Sequence, residues 1–246
     1  MVNEDFLSKS KLSDIGRWYA NQFVNYVAKS LPNGSSILDA GAGESAYKSL
    51  FEHCDYKAID LAVGESRWNY SNLDFIGPLD DMPIEDAQFD AVLCTQVLEH
   101  LEWPRESAAE MCRVLKPGGR IYITVPMSHG EHQIPYDFFR YTSYGLKSIL
   151  SHAGFSEIRV NPCGGFLTRW AYEMPRIFSI FPPTGLRSGN YSLIGISLLP
   201  IKVLLIPLVR LVQFSFMCFE RFDKKKNFPL GWSCEAVKPS AGKMNG

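Results

Sequence analysis

The sequence lacks any C-x-x-C pair: its six cysteines, Cys54, Cys94, Cys112, Cys163, Cys218 and Cys234, are scattered, several inside apolar runs where a reduced thiol simply packs. No disulfide framework and no metal site is expected. It lacks a net charge of either sign, with 25 Lys and Arg against 26 Asp and Glu, so no global field recruits nucleic acid. Internal repeats and low-complexity tracts are missing as well. The first residues, Met1 to Ser13, lack a basic region followed by an apolar stretch, so no secretory signal is expected there, and the cytoplasm is the expected compartment.

What the chain does have is alternation of element types. Its 246 residues suit one large α/β domain, or a domain with an appended element. Ile15, Trp18, Tyr19, Phe23, Tyr26, Val27 and Leu31 recur at helical spacing and are closed by Pro32 and Gly34, which predicts an amphipathic lead-in helix. Short buried strands are expected at 36–39, 56–60, 73–76, 89–94, 120–125 and 155–160, and a last one at Gly231 to Val237. Helices are expected at Tyr47 to His53, at Pro104 to Leu115 with proline in its first position, and from the cap Thr142 to Ala153; Lys116-Pro117-Gly118-Gly119 should stop the second. The prediction is a Rossmann-like, doubly wound and mostly parallel seven-stranded α/β sheet, with helices on both faces and a ligand at the carboxyl ends of the strands. Residues 1–163 then form the core, 164–228 a hydrophobic helical insertion, and 229–246 the final strand and a flexible tail.

Ile37-Leu38-Asp39-Ala40-Gly41-Ala42-Gly43 reads as a strand running into a glycine turn, where the missing side chains let backbone approach a ligand. Read as G-x-G-x-x-A (Gly41, Gly43, Ala46), with Asp60 about twenty residues on, it also satisfies a dinucleotide pattern, so a nicotinamide oxidoreductase is one reading. Asp39 argues for another: a carboxylate just before the turn repels a pyrophosphate and welcomes a cationic amino acid such as the methionine part of S-adenosylmethionine.

Downstream stand Phe89-Asp90-Ala91-Val92-Leu93-Cys94-Thr95-Gln96-Val97-Leu98-Glu99-His100-Leu101 and Arg113-Val114-Leu115-Lys116-Pro117-Gly118-Gly119. At this spacing they resemble the class I S-adenosylmethionine-dependent methyltransferases of the type 11 group. The resemblance implies S-adenosylmethionine as cofactor. It also implies that Asp39 lies near the methionine part, that Asp60 with Leu61 holds the ribose hydroxyls, and that Gly41, Ala42 and Gly43 form the turn. Two positions depart from the family pattern: Ser45 replaces the third glycine, and Pro78 stands where an acid usually precedes the adenine loop. Leu79, Asp80, Asp81 and Met82 are the substitute candidates, while Gln96 and Glu99 are expected at the open edge of the cofactor. A catalytically silent, membrane-bound scaffold with the same fold is a further alternative.

The polar and aromatic loop from Pro126 to Tyr141 should arch over the reacting methyl. His132 and His129 are base candidates, Arg140 could hold an acceptor carboxylate or phosphate, and Tyr136 is the fourth catalytic candidate. The two histidines have no third ligand nearby in the chain, which argues against a metal pair. The stretch from His132 to Gly145 resembles a methyltransferase subgroup associated with glycan and cell-surface polysaccharide biosynthesis, implying a glycan- or lipid-linked acceptor.

From Leu193 to Phe219 the only formal charges are Lys202 and Arg210. The length suffices to span a bilayer. Pro200 and Pro207 interrupt it, however, and Lys202, Arg210, Gln213, Glu220 and Arg221 fall within about a quarter of a helical wheel. Together with Arg221 and Lys224-Lys225-Lys226, this favours residues 193–222 lying in a membrane interface, or a re-entrant hairpin, over crossing, with the enzyme peripheral on the inner face.

Overall fold

The computed structural model describes residues 14–64, 68–184 and 192–240. The readings made on Met1 to Ser13 and on the tail beyond residue 240 lie outside the described residues. Asp14 accepts a hydrogen bond from the Arg17 amide and so caps α1 (Ile15–Ser30), the expected lead-in helix. The chain continues through β1 (Ser36–Ala40), β2 (Asp55–Asp60), β3 (Phe75–Ile76) and β4 (Phe89–Thr95) to α2 (Pro104–Val114). There follow β5 (Leu115–Pro126), α3 (Ser143–His152), β6 (Ser156–Cys163), α4 (Phe166–Glu173), α5 (Leu193–Ser197), α6 (Leu199–Phe219) and β7 (Gly231–Val237).

The seven strands form one sheet in the order β3-β2-β1-β4-β5-β7-β6. It is parallel from β3 to β5, and β7 returns antiparallel between β5 and β6. Alternation along each strand divides the core between its two faces. Leu38, Val92, Ile121 and Ile123 meet Met111 of α2 and Leu146 and Leu150 of α3, while Ile37, Leu93 and Tyr122 meet Val24 and Val27 of α1. The expected Rossmann-like α/β sheet is the one observed.

Three local expectations are corrected. Tyr47 to His53 is not an α-helix but a four-residue 3-10 turn, Lys48–Phe51, which packs Phe51 into the core. The strand expected from Leu73 has only Phe75 and Ile76, because Leu73 turns inward to the α1 face and Asp74 is spent on side-chain bonds to Lys57 and the Ala58 amide. Lys116 to Gly119 ends α2 yet belongs to β5: Gly118 donates to the Lys238 carbonyl and Lys238 to that of Gly119, so tertiary pairing overrides the turn chemistry.

Candidate active site

The carboxyl end of β1 delivers the chain into the glycine turn. Gly41 has φ +80°, and a Cβ there would stand 2.5 Å from both γ carbons of Val97, so only glycine fits between the two strand ends. Ser45, where the family pattern has its third glycine, keeps the left-handed backbone at φ 57°. Asp60, at the end of β2, ties the turn down: one carboxylate oxygen accepts from the Gly43 amide at 2.9 Å and the other from Ala62 at 2.8 Å. Each oxygen retains a lone pair for a vicinal diol. Leu61 follows, half exposed, and Trp68 lies over Gly43.

Asp39 sits behind this turn, not in it. Its side chain is 1% exposed and accepts from the Tyr56 hydroxyl at 2.6 Å. Burial pushes its pKa up to about 7, the Tyr56 hydrogen bond pulling back and the Asp60 charge pushing further. In this conformation its carboxyl is committed to Tyr56. Leu79 and Met82 are likewise packed into the core, which leaves the exposed Asp80 and Asp81 as the side chains of that loop able to meet a base.

A cleft opens beside the ends of β4 and β5. Its walls include Gly16 and Tyr19 of α1, the exposed Gln96, Thr124, His129 and Tyr172 of α4. Gln96 is held in left-handed backbone at φ 55°, its amide on the Thr124 carbonyl and its side chain 3.2 Å from the Thr124 hydroxyl. Ser128, also lining the cleft, accepts a hydrogen bond from the Nε of Arg169.

The loop above the cleft is knit by Arg140. Its Nε donates to the His129 carbonyl, Nη1 to Asp137 and the Phe139 carbonyl, and Nη2 to Asp137 and the Gly130 carbonyl. All five N–H groups are used. The expectation that Arg140 grips an acceptor anion is therefore corrected: it organises the loop, and the Arg140 hydrogen bonds hold the Asp137 carboxyl well below the usual range. Tyr136 is exposed, and its carbonyl meets His100 Nδ1 at 2.5 Å.

Of the base candidates, His129 lines the cleft, while His132 lies beside it, its ring tilted at 58° and 4.5 Å away between ring centres. Burial lowers the pKa of His100, His129 and His132, which favours the neutral form of each imidazole. Glu99 was expected at an open edge; it is instead 0% exposed beneath this loop, its carbonyl accepting from Phe138 and Phe139, and burial pushes its pKa up to about 8. The sequence places no third ligand near the histidine pair, yet folding brings Glu99 and His100 up to His132.

The insertion contributes residues that sequence reasoning missed. Tyr172 enters the cleft wall, and the Arg176 guanidinium stacks on its ring at 5.4 Å. The amphipathic face of α4 was the available signal. The polar stripe of α6 turns toward α4: Gln213 donates to the Ala171 carbonyl at 2.9 Å, and Glu220 accepts from the Thr168 amide at 2.8 Å. The greasy side therefore faces outward, with Leu204 75%, Leu208 54% and Leu211 61% exposed. Leu199–Phe219 is one continuous helix containing Pro207, not a hairpin, and the segment Leu199–Phe222 is long and apolar enough to cross a membrane.

Residues 38–123 match the family model described as a methyltransferase domain. A probable S-adenosylmethionine-dependent methyltransferase of Mycolicibacterium smegmatis is 33% identical over 99 residues, 38% of each chain. A demethylmenaquinone methyltransferase of Paenarthrobacter aurescens is 31% identical over 137 residues, 52% of this chain and 51% of that one. The chain thus spans about half, or less, of the length of these curated relatives. Among solved structures, the [4+2]-cyclase SpnF superposes with a TM-score of 0.55 at 20% identity, over 89% of this chain and 82% of that one. A shared fold with a cyclase shows that architecture alone does not set the reaction; the sequence similarity lies in the cofactor half. Residues 38–123 are thus similar to methyltransferase domains, among them that of a probable S-adenosylmethionine-dependent methyltransferase.

Proposed function

We propose that this chain transfers the methyl group of S-adenosylmethionine to a small-molecule, glycan- or lipid-linked acceptor at a membrane surface. The observation that carries the reading is that the glycine turn, tied to β2 by Asp60, follows β1, whose sheet neighbour β4 leads into Gln96 in the wall of the cleft. Methyl transfer is an in-line displacement in which alignment and exclusion of water do most of the work. A donor held at the turn would present its sulfonium toward the cleft. There His129 would take a proton from an acceptor hydroxyl, with Arg169, which donates to Ser128 of the cleft wall, close behind.

The membrane part of the proposal rests on α6. Its polar stripe is spent on α4, and the opposite side offers exposed leucines flanked by the exposed Lys224 and Lys225. A helix of that kind lies in an interface with its apolar side in the acyl region, and each nearby lysine adds about 1 kcal/mol on anionic lipid. The protein would then sit peripherally on the inner, cytoplasmic face. The test is transfer of labelled methyl from S-adenosylmethionine into lipid-extractable material, using membranes as acceptor source. Label in that fraction, reduced in His129→Ala, is expected; label found only in water-soluble products would remove the lipid-linked acceptor.

A further inference from the structure

Glu99 poses a physical problem that the methyltransferase reading does not absorb. Its carboxyl is completely buried, and neither oxygen has a hydrogen-bond partner; the Nε2 of His100 is buried without one as well. A buried carboxyl with no partner costs roughly 1–3 kcal/mol even as the neutral acid, and such groups in a native fold call for an explanation.

The surroundings supply one. Glu99 Oε1 and His100 Nε2 are 3.8 Å apart, and one ligating atom each from Glu99, His100 and His132 lies within 4.8 Å of the others. Ligand bonds of about 2.0–2.2 Å would draw these atoms to roughly 3.3 Å, a side-chain rotation away. The outer contacts are those that metal-binding imidazoles use. His100 Nδ1 meets the Tyr136 carbonyl at 2.5 Å, which leaves Nε2 as the lone-pair nitrogen. His132 Nδ1 stands 3.4 Å from Asp137, itself clamped by Arg140.

We propose that Glu99, His100 and His132 bind a divalent first-row transition cation beside the cleft. Two imidazoles and one carboxylate suit such ions and leave coordination positions open. His129, whose ring lies 4.5 Å from that of His132 and which lines the cleft, puts the ion next to the acceptor side. If the chain is the methyltransferase proposed above, the open positions would hold an acceptor oxygen in line with the methyl group.

The test uses the whole chain, stripped with a chelator and titrated with Zn2+ against a competing chromogenic chelator, with Co2+ as a spectroscopic probe of the ligand set. One Zn2+ per chain is expected, weakened by at least about tenfold in His132→Ala and in Glu99→Gln and unchanged in His152→Ala. His132 is partly exposed and its removal leaves the Asp137–Arg140 bonds in place, so that variant decides the matter if Glu99→Gln does not fold. Absence of stoichiometric binding, or equal affinity in wild type and His132→Ala, overturns the site. Metal binding without any methyl transfer would leave this site standing and remove the methyltransferase reading instead.

Discussion

The cofactor half and the insertion hold themselves together by opposite means. Around β1, β2 and β4 the chain is closed by backbone and carboxylate bonds over short distances: Gly41 against Val97, Gly43 and Ala62 on Asp60, Tyr56 on Asp39. In α4 and α6 a few polar contacts, Gln213 to Ala171 and Glu220 to Thr168, anchor a helix whose remaining surface is apolar and exposed. The first region is self-sufficient, and its geometry can be spent on one ligand. The second keeps an apolar face that stays exposed among the described residues.

That contrast breaks first, if it is wrong, at Gly41. Gly41→Ala puts a Cβ into Val97 at a positive φ, and a loss of about 2–4 kcal/mol in urea unfolding is expected; a change below about 0.5 kcal/mol would mean that the turn is not closed as described. Next in size is the outer face of α6. Replacing Leu204, Leu208 and Leu211 together by Glu removes about 1.5–3 kcal/mol of apolar transfer per residue, so co-sedimentation with anionic vesicles should fall by two orders of magnitude or more while unfolding stability holds. Equal sedimentation of the variant would take the membrane away from this helix.

Smaller is the effect of Asp60→Ala, expected to weaken S-adenosylhomocysteine binding by about 1–3 kcal/mol through loss of charge-assisted hydrogen bonds. Titration sharpens the picture further. Asp39 is raised from 3.8 to about 7 and Glu99 from 4.5 to about 8, each chiefly by burial. The folded state therefore binds more protons than the unfolded one between those values, and stability should fall as pH rises from about 4 to 8. Asp39→Asn should flatten the lower part of that slope; an unchanged slope in chemical denaturation would show that Asp39 is not the buried acid.

Legibility followed the range of the interactions. Pro104 at the start of α2, Thr142 capping α3 and the run from Gly231 to Val237 are local signals, and the structure puts elements where they point. Where distant partners decide, the chain alone misleads. Lys116 to Gly119 reads as a stop but is pulled into β5 by Lys238, and Tyr47 to His53 shortens to a 3-10 turn that seats Phe51. The site divides in the same way. Gly41, Gly43 and Asp60 meet through one β-turn-β connection, so their association was readable. Glu99, His100 and His132 converge only because the loop after β5 folds back over the end of β4, and Tyr172 arrives from the insertion. Arg140 looked like a ligand for the acceptor because sequence cannot count how many of its five donors the loop itself consumes.

The most direct measurement is calorimetric titration of the full chain with S-adenosylhomocysteine and, separately, with NADH. Micromolar binding of the first, lost or weakened in Asp60→Ala, with no heat from the second, is the expected result. Binding of NADH with no heat from S-adenosylhomocysteine would contradict the assignment of the turn between β1 and Asp60 to a sulfonium cofactor.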